Sequence, residues 1–506
     1  MPPVSSPALA TLIARLKRAN VLGSIVSLLQ WDEQVNLPPA SGDRRASQLA
    51  LMAELTHRAA SDPEIGVLLD RLEEASAAAA ADSDEAVIVR HARRDYDRVT
   101  RLPSEFVAEK AALDSEAYHI WTRARATSDF ALFAPFLERQ LDMARREAAY
   151  LGCGDRPYDY FLDRFDPGMN EAQVEALFAE LRAGLVPFVR EIVAAAGAAR
   201  EDLLTGFSVA EQDAFLREVT SALGFDYRRG RIDVAVHPFC SGDAADTRMT
   251  TRFKEDLPLD SLFSAIHETG HGLYEQGLPV EALGTPLGEA VGMAIHESQS
   301  RLWENQVGRS RGFWAFYEPR LRARFPGRLD HVSSEELYRA INKVGLHPVR
   351  IESDEVTYNL HIILRFELER ALFAGRIAVA ELPAAWRALT RELLGLEPRS
   401  DAEGVLQDVH WSGGAFGYFP SYCLGNMIAA QLWHAVRAAL PGLEDDFARG
   451  DFSRLLGWLR EHIHRHGKRF DTRDLVRRVA GEELSPRHLL DYLRERYAPL
   501  YLPPKR

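Results

Sequence analysis

Apolar residues return at intervals of three and four along nearly the whole chain, and this pattern limits the fold more than any other feature. The stretches Leu9 to Leu29, Phe106 to Thr127, Glu171 to Ala195, Ser334 to Asn342, Tyr358 to Phe373 and His488 to Tyr497 all carry it. A 3.6-residue period gathers those side chains on one face of an α-helix, which must be buried against a neighbour. The expected fold is therefore mainly α. With 506 residues, 46% of them hydrophobic, the chain can bury a large core without staples. No Gly/Ser or Pro-rich linker and no repeat marks a boundary, so residues 1–506 are expected to form a single helical body, cleft by its active site. The alanine-rich run from Ala75 to Ala81 reads as exposed helix, since alanine is the best helix former.

One segment breaks the pattern. Arg231 to Val236 alternates with β-branched residues, and after a turn at Gly242 and Asp243 the alternation resumes from Thr247 to Phe253. A small antiparallel sheet is expected there.

Charge and cysteine usage exclude several function classes. A formal net charge of -13 argues against a nucleic-acid partner, which calls for a basic face, and against a polybasic membrane anchor. No apolar run approaches the roughly 20 residues that span a bilayer. Cys153, Cys240 and Cys423 lie far apart without CxxC spacing, as buried free thiols of a reducing compartment would. The amino-terminal segment mixes basic and acidic residues and lacks the apolar core and cleavage site of a signal peptide, so a cytoplasmic location is expected.

Chemistry enters at Ser264 to Gly277, SAIHETGHGLYEQG. Pro258 suits a first helical turn and Gly277 a stop, which predicts a helix from about 259 to 276. On it His267 and His271 stand four residues apart, on one face and about 6 Å from each other, where both can reach one metal ion. Glu268 is rotated about 100° from His267, beside that ion without binding it, and can take a proton from a water the ion activates. This is the H-E-x-x-H arrangement of zinc peptidases. Gly270 and Gly272 cost about 1 kcal/mol each relative to alanine in such a helix. Helix stability did not select them; room for a substrate backbone or for a packed neighbour would.

A catalytic zinc takes three protein ligands and keeps one position open. The segment TPLGEAVGMAIHESQSRLWENQ predicts a second helix after Pro286, with Glu297 in its middle, 26 residues beyond His271. Glu289 and Glu304 are rival ligands by spacing alone. His296 points about 100° away from Glu297 and belongs to the cleft wall or behind a ligand.

Further blocks accompany HETGH in order: His237-Pro238-Phe239, Asp246-Thr247-Arg248-Met249-Thr250, His296-Glu297-Ser298-Gln299, Ile351 to Tyr358 (IESDEVTY) and Gly404 to Trp411 (GVLQDVHW). With them the chain resembles the carboxypeptidase Taq-type metallocarboxypeptidases; Ser353 stands where that family's pattern has alanine. The resemblance implies a mostly helical, deeply grooved fold, a homodimer, and release of single residues from the free carboxyl termini of peptides. It also selects Glu297 as third ligand, with Zn2+ as the expected ion and Co2+ as an alternative.

Roles follow. Glu268 is the general base that later returns its proton to the leaving amine. His410 and Tyr422 are the candidates to stabilise the oxyanion, since His and Tyr at similar separation do so in the related angiotensin-converting-enzyme and neurolysin-like peptidases; Tyr418 is the alternative to Tyr422. Gly413, Gly414 and Gly417 would let that loop pass close to a substrate. Arg350 and Arg248 are candidates for a bidentate grip on the substrate carboxylate. His237 either lines the groove or closes the sheet. Asp354 and Glu355 either orient a ligand histidine or cap a helix. Two other functions stay open: an endopeptidase or dipeptidase on the same scaffold, and a metal-binding helical protein without turnover.

Overall fold

The computed structural model describes residues 6–76, 80–196 and 204–503. Its first helices are α1 (Pro7–Val35), α2 (Gly42–Ala60), α3 (Pro63–Ser76), α4 (Asp84–Thr100), α5 (Ser104–Thr127), α6 (Phe130–Tyr150), α7 (Pro157–Phe165), α8 (Glu171–Ala196) and α9 (Val209–Leu223). The small sheet follows, and then α10 (Pro258–Glu275), α11 (Met293–Arg301), α12 (Arg311–Arg324), α13 (Ser334–Ile341), α14 (Tyr358–Phe373) and α15 (Leu382–Leu394). The chain ends with α16 (Pro420–Ala439), α17 (Leu443–Ala448), α18 (Ser453–His462), α19 (Thr472–Ala480) and α20 (Arg487–Tyr501). The mainly α expectation holds, and each stretch read as helical from its period lies within or over a helix. The alanine-rich run 75–81 falls largely outside the described residues.

Local chemistry accounts for many boundaries. Pro258 and Pro420 occupy the first turn of α10 and α16, where a missing N–H leaves nothing unsatisfied. Ser333 and Glu336 close a reciprocal capping box on α13. Most buried apolar side chains belong to one continuous core, and a smaller separate cluster is formed by α1, α3 and α4 with Ala282 and Leu287. Among the described residues no helix is long and apolar enough to cross a membrane.

The sheet corrects the antiparallel expectation. Its strands β1 (Gly230–Val234), β2 (Cys240–Gly242) and β3 (Thr247–Thr251) lie in the order β1-β3-β2. β1 runs parallel to β3, with Arg231 opposite Arg248, and only the short β2 pairs antiparallel, with Cys240 opposite Met249. The turn at Gly242 and Asp243 does close a hairpin, through Asp243 N–H donating to Asp246 O, but its first arm is β2. Alternation marks a segment as strand and says nothing of which neighbour it meets or in which direction. Central β3 packs on α10, with Thr251 Oγ1 donating to Ser261 O at 3.3 Å.

Candidate active site

α10 and α11 bring together three side chains from two distant blocks. His267 Nε2 and His271 Nε2 lie 3.6 and 3.5 Å from Glu297 Oε2. Their ligand atoms are all within 4.8 Å of one another, and they form the one such metal-competent group among the described residues. Donors 2.0–2.2 Å from a tetrahedral ion stand about 3.3–3.6 Å apart, so each imidazole stands at the separation from the carboxylate that a shared divalent ion requires. Glu297 falls mid-helix, as expected for α11.

Close helix packing makes this possible. A Cβ on Gly270 would stand 2.5 Å from Ser300 Cα, so α10 reaches α11 only because that position is glycine. A Cβ on Gly425 of α16 would stand 2.7 Å from both Cβ and Cγ of Glu297. Gly272 meets the Phe225 ring in the same way, at 2.9 Å. A packed neighbour therefore explains both Gly270 and Gly272. Buried Asp166 ties the start of α11 to α16, accepting from Ala294 N–H and Ser421 Oγ, each at 2.6 Å. Burial pushes its carboxyl up to about 6, against the pull of those bonds.

Each member of the trio is also held from behind. His267 Nδ1 lies 2.9 Å from Glu304 Oε2, and His271 Nδ1 lies 2.5 Å from His296 Nδ1. Arg301 donates to Glu297 Oε1 at 2.7 Å and to Glu304 Oε2 at 2.9 Å, leaving Glu297 Oε2 to face the imidazoles. Glu304 thus stands behind His267, outside the metal-competent group. It sits in a π-helical turn, Leu302–Val307, that continues α11. Glu289 pairs instead with Lys468. Burial holds His271 down to about 3, so it stays neutral, and holds Glu297 up less strongly than Arg301 and the imidazoles pull it down, so it stays ionised.

Glu268 is buried at 6% exposure on α10, and none of the side-chain hydrogen bonds among the described residues involves its carboxylate. Burial pushes its carboxyl up to about 7, with His267 pulling the other way. It is an unengaged carboxylate beside the trio, in the range where a base can both take and return a proton.

A polar and aromatic cluster adjoins the trio through Arg301. Arg301 stacks on Tyr358 at 4.9 Å, and the Tyr358 hydroxyl accepts from Arg350 Nη1 at 2.8 Å. Arg350 also faces the Tyr422 ring at 5.1 Å, Tyr422 meets Tyr418 at 5.3 Å, and Tyr418 meets His410 at 5.3 Å. Burial, and next the other tyrosine's charge, raise the Tyr422 hydroxyl well above its ordinary range, and Glu297 is near enough to add to this. Burial lowers His410 to about 4, and its Nδ1 is buried without a partner. Arg350 donates to Asp408 Oδ1 through Nε and Nη2, at 3.1 and 2.8 Å, and Arg365 donates to Asp408 Oδ2 at 2.7 and 2.5 Å. Two buried guanidiniums thus share one carboxylate.

The segment carrying His410 and Tyr418 is clamped by a residue that sequence reading missed. Glu369, buried on α14, accepts from Trp411 Nε1 at 2.7 Å, Gly417 N–H at 2.8 Å and Tyr158 OH at 2.8 Å. Burial pushes it up to about 7 despite those three donors. Gly417, at φ 74, packs against the backbone of Phe161. No local signal marks Glu369; Glu304 and Arg301 carried one, since 297, 301 and 304 recur on one helical face.

The other candidates have partners of their own. Arg248 pairs with Asp246 at 2.9 Å and stacks on Trp31 of α1 at 4.3 Å. His237 is exposed, and its carbonyl accepts from Thr250 Oγ1 at 3.1 Å, which closes the sheet. Asp354 accepts from Val356 and Thr357 N–H in the turn that leads into α14, and Glu355 accepts from Tyr497 OH; neither carboxylate is bonded to His267 or His271. The three cysteines are free, but only Cys423 is fully buried.

The sequence model of the carboxypeptidase Taq (M32) metallopeptidase family matches residues 11–497. Thermostable carboxypeptidase 1 of Thermus thermophilus is 43% identical over 491 residues, covering 95% of this chain and 96% of that protein. Carboxypeptidase 1 of Bacillus subtilis is 37% identical over 489 residues, covering 96% and 97%. The crystal structure of the M32 carboxypeptidase from Deinococcus radiodurans matches with a TM-score of 0.94 at 45% identity, covering 98% of this chain and 100% of that one.

Proposed function

The chain belongs to the carboxypeptidase Taq (M32) metallopeptidase family, and from that premise we propose that it releases single amino acids from peptide carboxyl termini using a zinc ion held by His267, His271 and Glu297. The family implies peptide substrates and a divalent metal; Co2+ suits the same donor set. The observation that carries the reading is the 3.5–3.6 Å spacing of the two imidazoles from one oxygen of Glu297, with Glu268 unengaged beside them.

A divalent ion held by His267, His271 and Glu297 would supply Lewis acidity, acidifying a water and polarising the scissile carbonyl. Glu268 takes the proton of the attacking water and passes it to the departing amine. Tyr422 and His410 donate to the developing oxyanion, and Tyr418, packed against both rings, is the alternative donor. Arg350 grips the terminal carboxylate: Asp408 offsets only one of the two buried guanidiniums, so the cluster keeps an unbalanced positive charge beside Tyr422. His237 and Arg248 stand at the sheet, where their backbone and stacking contacts support a positioning part at most.

A short unblocked peptide incubated with zinc- or cobalt-loaded protein and followed by mass spectrometry tests this. Stepwise loss of one residue from the carboxyl end is expected, and amidation of that end should abolish it. Internal fragments, or equal cleavage of the amidated peptide, would establish an endopeptidase instead. The reading extends to one functional unit over residues 1–506, to a homodimer in the cytoplasm, and to a sedimentation mass of twice 56.7 kDa.

A further inference from the structure

The two imidazoles of the trio are braced by different chemistry. His267 Nδ1 meets a carboxylate, Glu304, whereas His271 Nδ1 meets a second imidazole, His296, at 2.5 Å. His296 goes on to place its Nε2 2.7 Å from Glu275 Oε1. The path thus leaves α10 at His271, crosses to α11 at His296 and returns to α10 at Glu275, the last residue of that helix.

Two imidazole nitrogens share a hydrogen bond only when one carries the proton and the other a lone pair. Nε2 of His271 is the atom turned toward Glu297, and a ligand nitrogen needs its lone pair, so the ring proton sits on Nδ1 and His271 donates. His296 then accepts at Nδ1 and must hold its own proton on Nε2, where Glu275 receives it. A carboxylate at the far end sets the direction of every proton in the row. The His296 ring is also held in place by packing: it lies 4.6 Å from the His271 ring and 5.2 Å from Tyr274, a fully buried side chain backed by His464 at 5.1 Å.

We propose that His296 and Glu275 form a positioning relay that fixes the tautomer and orientation of His271 and so sets how tightly the trio holds its ion. The inference rests on the metal-binding reading above and adds to it two residues that touch neither metal nor substrate. Partners of this kind change metal affinity by about 10- to 100-fold when removed.

The test measures zinc alone, titrated into metal-free full-length protein against a chromophoric chelator at one pH. His296→Leu cannot accept from His271 and should raise the zinc dissociation constant about 10- to 100-fold. His296→Asn keeps an acceptor oxygen near the Nδ1 position and should recover most of the loss. Nitrogen-detected NMR of ring-labelled, zinc-loaded wild type should find the proton of His271 on Nδ1 and that of His296 on Nε2, and this readout stands even where the leucine variant fails to fold. Equal affinity for wild type and His296→Leu, no recovery with Asn, or a His296 proton on Nδ1 would overturn the relay alone. Wild type that takes up no zinc would overturn the metal reading and the relay together.

Discussion

The two sides of the candidate active site are positioned by different means. The trio sits where α10, α11 and α16 touch so closely that Gly270 and Gly425 leave no room for a Cβ, and its placement is spread over many packed atoms. The other side, carrying His410 and Tyr418, is short turns between helices, and single carboxylates hold it: Glu369 takes three donors and Asp408 takes two guanidiniums. Packed helices answer to changes of volume. A loop pinned by one buried acid answers to a proton.

The largest effect should come from the chemistry both sides serve. Glu268→Gln is expected to lower kcat about 1000-fold while zinc uptake stays at the wild-type level. A variant within tenfold of wild-type kcat would remove Glu268 from the base role.

The loop side should show its dependence on a proton. Glu369 has an ordinary value of 4.5 and is raised to about 7 by burial, so the folded chain binds its proton more tightly than the unfolded one. Its favourable contribution is complete below about pH 4.5 and is lost as pH rises through about 7. The unfolding free energy of wild type minus that of Glu369→Gln, from urea titrations, should therefore fall by on the order of 3 kcal/mol between pH 4.5 and 7.5. A flat difference would mean that Glu369 does not titrate in that window.

The helix side should respond to one methyl group. Gly425→Ala puts a Cβ 2.7 Å from Glu297 and should cost about 1–3 kcal/mol of stability and weaken zinc binding. Gly457 of α18 has nothing within 4 Å of its added Cβ, and Gly457→Ala should instead stabilise by up to about 1 kcal/mol. Thermal melts of the two metal-free variants compare them directly; equal shifts would refute the packing account of Gly425.

The smallest effect belongs to Arg248, which is outside both regions. Arg248→Ala loses a partly exposed ion pair and a stacking contact with Trp31, about 1 kcal/mol in all, with KM within threefold of wild type. A tenfold rise in KM would return Arg248 to the substrate.

Legibility followed the same division. The helix bearing His267 and His271 and Glu297 within the next helix were readable, because spacing along one helix sets direction; for His296 spacing gave only that it turns away from Glu297, to the cleft wall or behind a ligand. The sheet was readable as strands but not as pairs: β1 chose the far edge of β3, and nothing within either strand encodes that choice. Glu304 looked like a ligand because its spacing was right; Arg301 and His267 converge on its Oε2, and Arg309 on its Oε1, only once α10 and α11 are docked. Glu369 was invisible, since Tyr158, Trp411 and Gly417 come to it from positions 211, 42 and 48 residues away.

What the chain determined by itself is therefore what a single helix can carry: the helical class, the boundaries written by proline and caps, and the facing of two imidazoles toward one point. Tertiary structure alone decided which group stands behind each imidazole, which strand pairs with which, and what holds the loop of His410. Side-chain direction along a helix is a local consequence of its 3.6-residue period, whereas a hydrogen bond between distant segments exists only after the core has brought them together.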